Sequence, residues 1–296
     1  MRTSTALVDK RLLRRQEALE RSGMTAEAFD AEFTRLHGDL YLPRSTILTP
    51  EERIREAFEN GPPGSVVGGT GAAVLHGTYW YERDFNVELV RGPEAGNRGV
   101  RGRRVRRTDL KPDDVTELNG IPLTVVTRTA FDLGRRGTEW QALGSLDSLN
   151  RATGFCPDTV AEYAAEFNGY RGVRQLRYLL PLIDPGAESL RESWVRLLII
   201  KAGLPRPQTQ IEVADDYGSV FARIDLGYEE HRVGIEYDGE PYHSTENQKA
   251  RDAARDEHLK DLEWIMVHVD KHRLRTDPWG IIEETETALR RRGGYF

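Results

Sequence analysis

Between Glu188 and Arg291 the apolar residues change period in a fixed order, and that order restricts the fold more than any other feature of the chain. ESLRESWVRLLIIKAG reads as a helix stopped at Gly203, with Pro205 beyond it. TQIEVAD (209–215), VFARIDLGY (220–228) and HRVGIEYDG (231–239) read as three strands. A helix over 246–262, the strand WIMVHV (264–269) and a helix from Pro278 to Arg291 complete an αβββαβα order.

Upstream the pattern is looser. Two helices are predicted within residues 8–37: one over about Asp9–Arg21 that ends at Gly23, and one N-capped by Thr25 with Ala26, Phe29, Phe33 and Leu36 as its apolar stripe. Gly38-Asp39 then leads into a short strand, LYLP. This is the outline of a winged helix-turn-helix, an outline that many helical hairpins share. An α+β region runs from Pro50 to Gly154, with a helix over 50–59, the loop GPPG (61–64), strands FNVELV (85–90) and IPLTVV (121–126), and a helix from Thr127 or Arg128. Residues 155–186 read as a helical connector closed by the turn Asp184-Pro185-Gly186. The expected class is α/β (α+β), organised as a winged-helix-like region (1–49), an accessory α+β domain (50–154), the connector, and an αβββαβα domain (187–296).

Composition is that of a globular protein, 38% hydrophobic and 30% charged over 296 residues. The charged N-terminus has no signal-type apolar core, no run is long enough to span a membrane, and a cytoplasmic location is expected. The single cysteine, Cys156, excludes an internal disulfide and a Cys-rich zinc site. A net charge of −6 argues against a general nucleic-acid coat. Yet RGVRGRRVRR (98–107) gathers six arginines, Arg98, Arg101, Arg103, Arg104, Arg106 and Arg107, alternating with Gly and Val as in an extended arm. Their fork geometry suits phosphate contacts, and the same run also fits a solvated charged strand.

Carboxylates mark the C-terminal strands. If the hairpin turns at Glu230-His231, Asp225 stands opposite Glu236, and Asp238 shares the face of Glu236. Like charges so placed repel, so a cation would stabilise them, and an all-oxygen set favours Mg²⁺ or Mn²⁺. The alternative is a row of edge carboxylates facing water. His243, just beyond the Gly239-Glu240-Pro241 turn, could act as general base or ligand, or simply start the next helix. Glu192 lies in line with Val195, Ile199 and Ala202, but Arg196 four residues on offers an ordinary surface ion pair, the reading that spacing alone favours. Asp252 and Arg255 have the same kind of helical reading, at i,i+3.

These segments, together with RIDLGY, VGIEYDGEPYH and ARDAARDEHLKDLEW, resemble over residues 186–292 the domains related to very-short-patch-repair (Vsr) endonucleases of the PD-(D/E)XK superfamily. The resemblance implies a restriction-endonuclease-like core and a metal-dependent phosphodiesterase. Asp225 and Glu236 match its metal-binding acids, Glu192 its helical glutamate, Asp238 and His243 its D-G-x-x-H segment, and Asp252 and Arg255 its D-x-x-R helix. Asp238 stands where the wider superfamily carries lysine, which leaves the proton acceptor to His243. The helix pair at 10–37, GAAVLHG (71–77), VELV (87–90) and GIPLTVVTRTAFDL (120–133) resemble AbiEi-type antitoxins and transcriptional regulators, which implies a winged-helix DNA-binding module with an accessory domain. The expectation is a DNA endonuclease using Mg²⁺ or Mn²⁺ held by Asp225, Glu236, Asp238 and Glu192, with DNA of unresolved strandedness held by the arginine arm and Arg255. Its rival is a DNA-binding regulator or antitoxin whose nuclease-like domain is inactive. Oligomeric state is not legible in the sequence.

Overall fold

The structure is a computed structural model that describes residues 13–80, 85–94, 102–215, 217–239 and 246–294. Contacts divide the chain into two units, residues 1–133 with 159–166, and residues 134–158 with 167–296.

The first unit begins with β1 (Leu13–Arg14), α1 (Arg15–Ser22), α2 (Ala26–Glu32), β2 (Phe33–His37) and β3 (Leu40–Pro43), its strands ordered β1-β3-β2. Gly23 closes α1 in the left-handed conformation, and the Thr25 hydroxyl accepts the Ala28 N–H, as the sequence predicts. The expected helical stripe is only half right: Phe33 and Leu36 lie in a strand. Tertiary packing decides this, because Phe29 is fully buried, stacks on Phe33 at 4.6 Å and meets the Tyr41 ring at 5.1 Å.

A second sheet of the same unit follows. Thr49 and Glu52 form a capping box at the start of α3 (Pro50–Glu59), which leads to β4 (Val66–Gly68), α4 (Gly69–Leu75), β5 (Val87–Arg91), β6 (Arg103–Arg107), β7 (Val115–Leu118) and β8 (Ile121–Thr124). The strand order is β6-β5-β4-β8-β7. Ile54, Val67, Val87, Leu89 and Leu123 form its core. From the segment VTRTAFDL comes α5 (Val126–Gly134), where Arg128 is 1% exposed. Its guanidinium donates to Asp132 at 2.9 Å and Asp114 at 3.0 Å, and the Tyr163 hydroxyl donates to the other Asp114 oxygen at 2.7 Å. The single guanidinium serves both carboxylates, and the Tyr163 hydroxyl and the Lys111 N–H at 2.9 Å give Asp114 further hydrogen bonds, so the buried polar groups are paired.

The chain continues through α6 (Glu139–Thr153), α7 (Pro157–Ala165) and α8 (Val173–Leu179). The second unit then runs α9 (Leu190–Lys201), β9 (Gln208–Ala214), β10 (Val220–Tyr228), β11 (Val233–Asp238), α10 (Glu246–Asp261), β12 (Ile265–Asp270), α11 (Lys271–Thr276) and α12 (Pro278–Arg291). The predicted element order is therefore present. Its sheet is ordered β12-β11-β10-β9, with β12 parallel to β11 and the other pairs antiparallel. A helix must carry the chain back between parallel strands, and α10 does so. Helices α9 and α12 cover one core with Val195, Ile199, Leu226, Ile235, Val267 and Ile281. On the other side Leu259 of α10 and Trp264 meet Ile211, Val213 and Ile224. Gly186 is required at the turn before α9: its N–H binds the Asp184 carboxylate at 2.9 Å, and a β-carbon there would lie 2.0 Å from Thr209 Oγ1.

Candidate functional site

The most unusual place in the second unit is the middle of β10. Ile224 packs in the α10 core and Leu226 in the α9 core, although residues two apart on a regular strand share a face. A β-carbon on Gly234 would lie 3.0 Å from Ile224 Cγ2, which places Ile224 on the face opposite Ile235, the partner of Leu226. The strand therefore turns over at Asp225. On β9 the pairing passes from Ile211 to Thr209, and the residue between them, Gln210, has φ +52.

Asp225 cannot continue the ladder, and its carboxylate instead accepts the Tyr237 N–H at 2.9 Å. The predicted register is correct, since Leu226 pairs with Ile235, Gly227 with Gly234 and Tyr228 with Val233. The predicted two-residue turn is not. A 3₁₀ turn over Glu229–His231 and a left-handed Arg232 make a four-residue loop, closed by the bond from Arg232 N–H to Glu229 at 3.0 Å.

Around this bend the carboxylates are buried. Glu192, 6% exposed, accepts the Glu188 N–H at 2.8 Å and the Gln210 side-chain amide at 3.2 Å. Burial and the nearby Asp225 charge push its pKa up to about 7. Burial also raises Asp225, against the Tyr237 N–H that favours its ionised form. Glu236 is raised by burial too, opposed by Arg255, which donates to its Oε2 at 2.7 Å. The other oxygen, Oε1, is buried without a hydrogen-bond partner among the described residues.

The surface ion pair read between Glu192 and Arg196 is corrected here. Arg196 is wholly buried and binds Asp147 of α6 at 2.6 Å, with the Ser193 hydroxyl on the same Asp147 oxygen at 2.7 Å. Sequence spacing gives neighbours on one helix and says nothing about a partner 49 residues away.

Asp238 lies on the Glu236 side of β11, as alternation requires. It faces a residue the sequence reading did not select, His268 of β12, whose Nδ1 is 3.4 Å from the Asp238 carboxylate. Glu236 and His268 are lateral partners in the parallel pair. One ligand atom from each of Glu236, Asp238 and His268 lies within 4.8 Å of the others, and Asp225 is not part of that trio. The signal for His268 was the single polar residue inside WIMVHV, but only the β11–β12 register gives it a partner. A cleft of about 520 Å³ opens beside Asp238 and Gly239, lined further by Asp270, Lys271, His272 and Arg275. His243 and the side chain of Asp252 lie outside the described residues.

In the first unit the described part of the arginine arm, Arg103–Arg107, is extended, as predicted, and forms the edge strand β6. Its members divide by role. Arg103 turns inward onto the last carbonyls of α3, donating to Asn60 at 2.5 Å and Ala57 at 3.4 Å, and burial lowers its pKa. Arg106 binds Glu88 at 2.6 Å. Arg104 and Arg107 are exposed and have no side-chain partner among the described residues. Arg98 and Arg101 lie outside the described residues.

Comparison with known proteins locates a resemblance in this part of the chain. Residues 67–182 match the family model described as the AbiEi antitoxin C-terminal domain. Uncharacterized proteins from two strains of Mycobacterium tuberculosis are each 30% identical over 161 residues, 54% of this chain. The chain spans 59% of the length of these curated relatives. No solved structure matches it significantly. The resemblance of residues 186–292 to very-short-patch-repair endonucleases draws no support from these comparisons. Among the described residues, no helix is long and apolar enough to cross a membrane.

Proposed function

We propose that this protein is a DNA-binding regulator of the AbiEi antitoxin kind, acting with a cognate toxin as its protein partner. The observation that carries this reading is the match of residues 67–182 to an antitoxin domain, with two arginines that have no side-chain partner among the described residues on an edge strand inside it. Arg104 and Arg107 hold DNA phosphates, while Arg103 and Arg106 fix the strand that presents them. The helices and hairpin of residues 15–43 supply the winged-helix element.

A second reading is favoured by one specific feature, the convergence of buried carboxylates at the bend of β10. It is metal-dependent hydrolysis of DNA by an endonuclease-like second unit. The residues fit a divalent cation, because Glu236 Oε1 is buried without a hydrogen-bond partner among the described residues and the Asp225 charge repels both Glu192 and Glu236. Glu236 with Asp225, and Glu192 or Asp238 beside them, would hold Mg²⁺ or Mn²⁺, which supplies an acidified water and offsets phosphate charge. Arg255 orients Glu236 through its Oε2.

One experiment separates the two. The full chain is incubated with labelled duplex DNA, single-stranded DNA and RNA, with Mg²⁺, Mn²⁺ or chelator. Binding without cleavage, unchanged in Asp225→Ala, supports the regulator. Cleavage that needs the ion and vanishes in Asp225→Ala and Glu236→Ala, with binding retained, supports the nuclease. Absence of nucleic-acid binding defeats both.

A further inference from the structure

We infer that Glu236, Asp238 and His268 form a binding site for a first-row transition-metal dication, with Mn²⁺ or Co²⁺ preferred over Mg²⁺. The inference rests on one premise of the hydrolysis reading, that an ion is held at Glu236, and deepens it by naming the donor set and hence the class of ion.

Two independent observations point to the same spot. The first is position: one donor atom from each residue lies within 4.8 Å of the others, close enough for small side-chain adjustments to bring all three onto a single ion. Neighbouring strands impose this closeness. Glu236 and Asp238 are two apart on β11, and His268 is the lateral partner of Glu236 on β12, so all three project from one face. The second is the state of Glu236. Its side chain is only 8% exposed, yet its Oε1 has no hydrogen-bond partner among the described residues. A buried carboxylate oxygen left unsatisfied is destabilising, and a ligand removes that penalty. Arg255 already holds Oε2 at 2.7 Å, which fixes the carboxylate and leaves Oε1 to the ion.

Donor chemistry selects the ion. Mg²⁺ takes oxygen ligands almost without exception, whereas an imidazole nitrogen beside two carboxylates suits Mn²⁺, Co²⁺ and their neighbours. Asp238 and His268 are about half exposed, at 52% and 42%, so the site is open to solvent and water completes the coordination sphere. Neutral imidazole is the ligating form, and the 3.4 Å separation of its Nδ1 from the Asp238 carboxylate is a spacing that two ligands of one dication adopt. Nearby Lys271, His272 and Arg275 line the cleft that begins at Asp238, where a phosphate bridging to the ion would be neutralised.

The test is ion uptake by the full chain after chelator treatment. Mn²⁺ is titrated and followed by the loss of its free electron-paramagnetic signal, and Co²⁺ by its visible absorption, with Mg²⁺ as competitor. The expected result is one ion per chain, little competition from Mg²⁺, and affinity reduced by at least about tenfold in His268→Ala and Asp238→Asn. Both side chains are half exposed, and far-ultraviolet circular dichroism verifies that the variants fold. Glu236→Gln, which keeps the side-chain shape, gives the same loss. Uptake that is unchanged in His268→Ala overturns this inference and leaves the ion premise of the hydrolysis reading standing. Absence of uptake by the unsubstituted chain overturns both.

Discussion

Comparing Glu192→Gln with the unsubstituted chain exposes the pH dependence of stability that the buried Glu192 carboxyl imposes. The folded carboxyl is pushed from its ordinary value of 4.5 up to about 7, first by burial and then by Asp225. Because the folded pKa lies above the unfolded one, the folded state binds the extra proton between these values. Stability from this group is therefore fully present below about pH 4.5 and is lost as pH rises through about 7. The displacement corresponds to about 3 kcal/mol, an upper figure for a single site. Glu192→Gln removes the titration while keeping an oxygen to accept the Glu188 N–H. Urea unfolding of both proteins at several values between pH 4.5 and 8 provides the assay. Tryptophan fluorescence follows it, because Trp140, Trp194, Trp264 and Trp279 lie in the second unit and only Trp80 in the first. The variant should gain on the unsubstituted chain by up to about 3 kcal/mol as pH rises, added to a pH-independent offset. A stability difference that stays flat over this range would falsify the buried-carboxylate account of Glu192.

Further perturbations probe other parts of the argument. Asp147→Ala strands the buried Arg196 guanidinium and should cost about 3–5 kcal/mol in chemical denaturation, much of it recovered by adding Arg196→Met; equal losses in the single and double variants would contradict this. Gly186→Ala forces a β-carbon onto Thr209 Oγ1 and should cost at least about 1–3 kcal/mol by the same assay, with an unchanged midpoint as the contrary result. Removing Arg104 and Arg107 together should flatten the slope of log affinity for duplex DNA against log salt by about 2, with no change in thermal midpoint. An unaltered slope would show that the edge strand does not touch phosphate. Arg106→Ala, by contrast, should lower stability because the buried Glu88 carboxylate loses the ion pair that ties it to β6.

Local patterns carried much of the fold. Thr25 and the glycine stops Gly23 and Gly203 are decided by backbone groups within a turn of themselves, and the structure has them where the sequence puts them. The hairpin register of β10 and β11 follows from a turn centred on Glu230-His231, and it holds although the loop is longer, because the four-residue loop is centred on the same two residues. The continuation of α2 through Phe33 failed because a periodic stripe does not reveal when rings on a neighbouring strand will claim the same residues.

The sequence by itself determined the helices and strands from Leu190 onward except α11, the acidic residues of those strands and the arginine-rich arm of the first unit. Tertiary structure alone decided that β10 turns over at Asp225, that Arg196 belongs to Asp147 rather than Glu192, that Arg103 and Arg106 are structural, and that His268 stands beside Glu236 and Asp238. The physical reason is range. Helix caps and strand alternation are set by neighbours a few residues away, whereas a buried charge finds its partner across elements that only folding brings together.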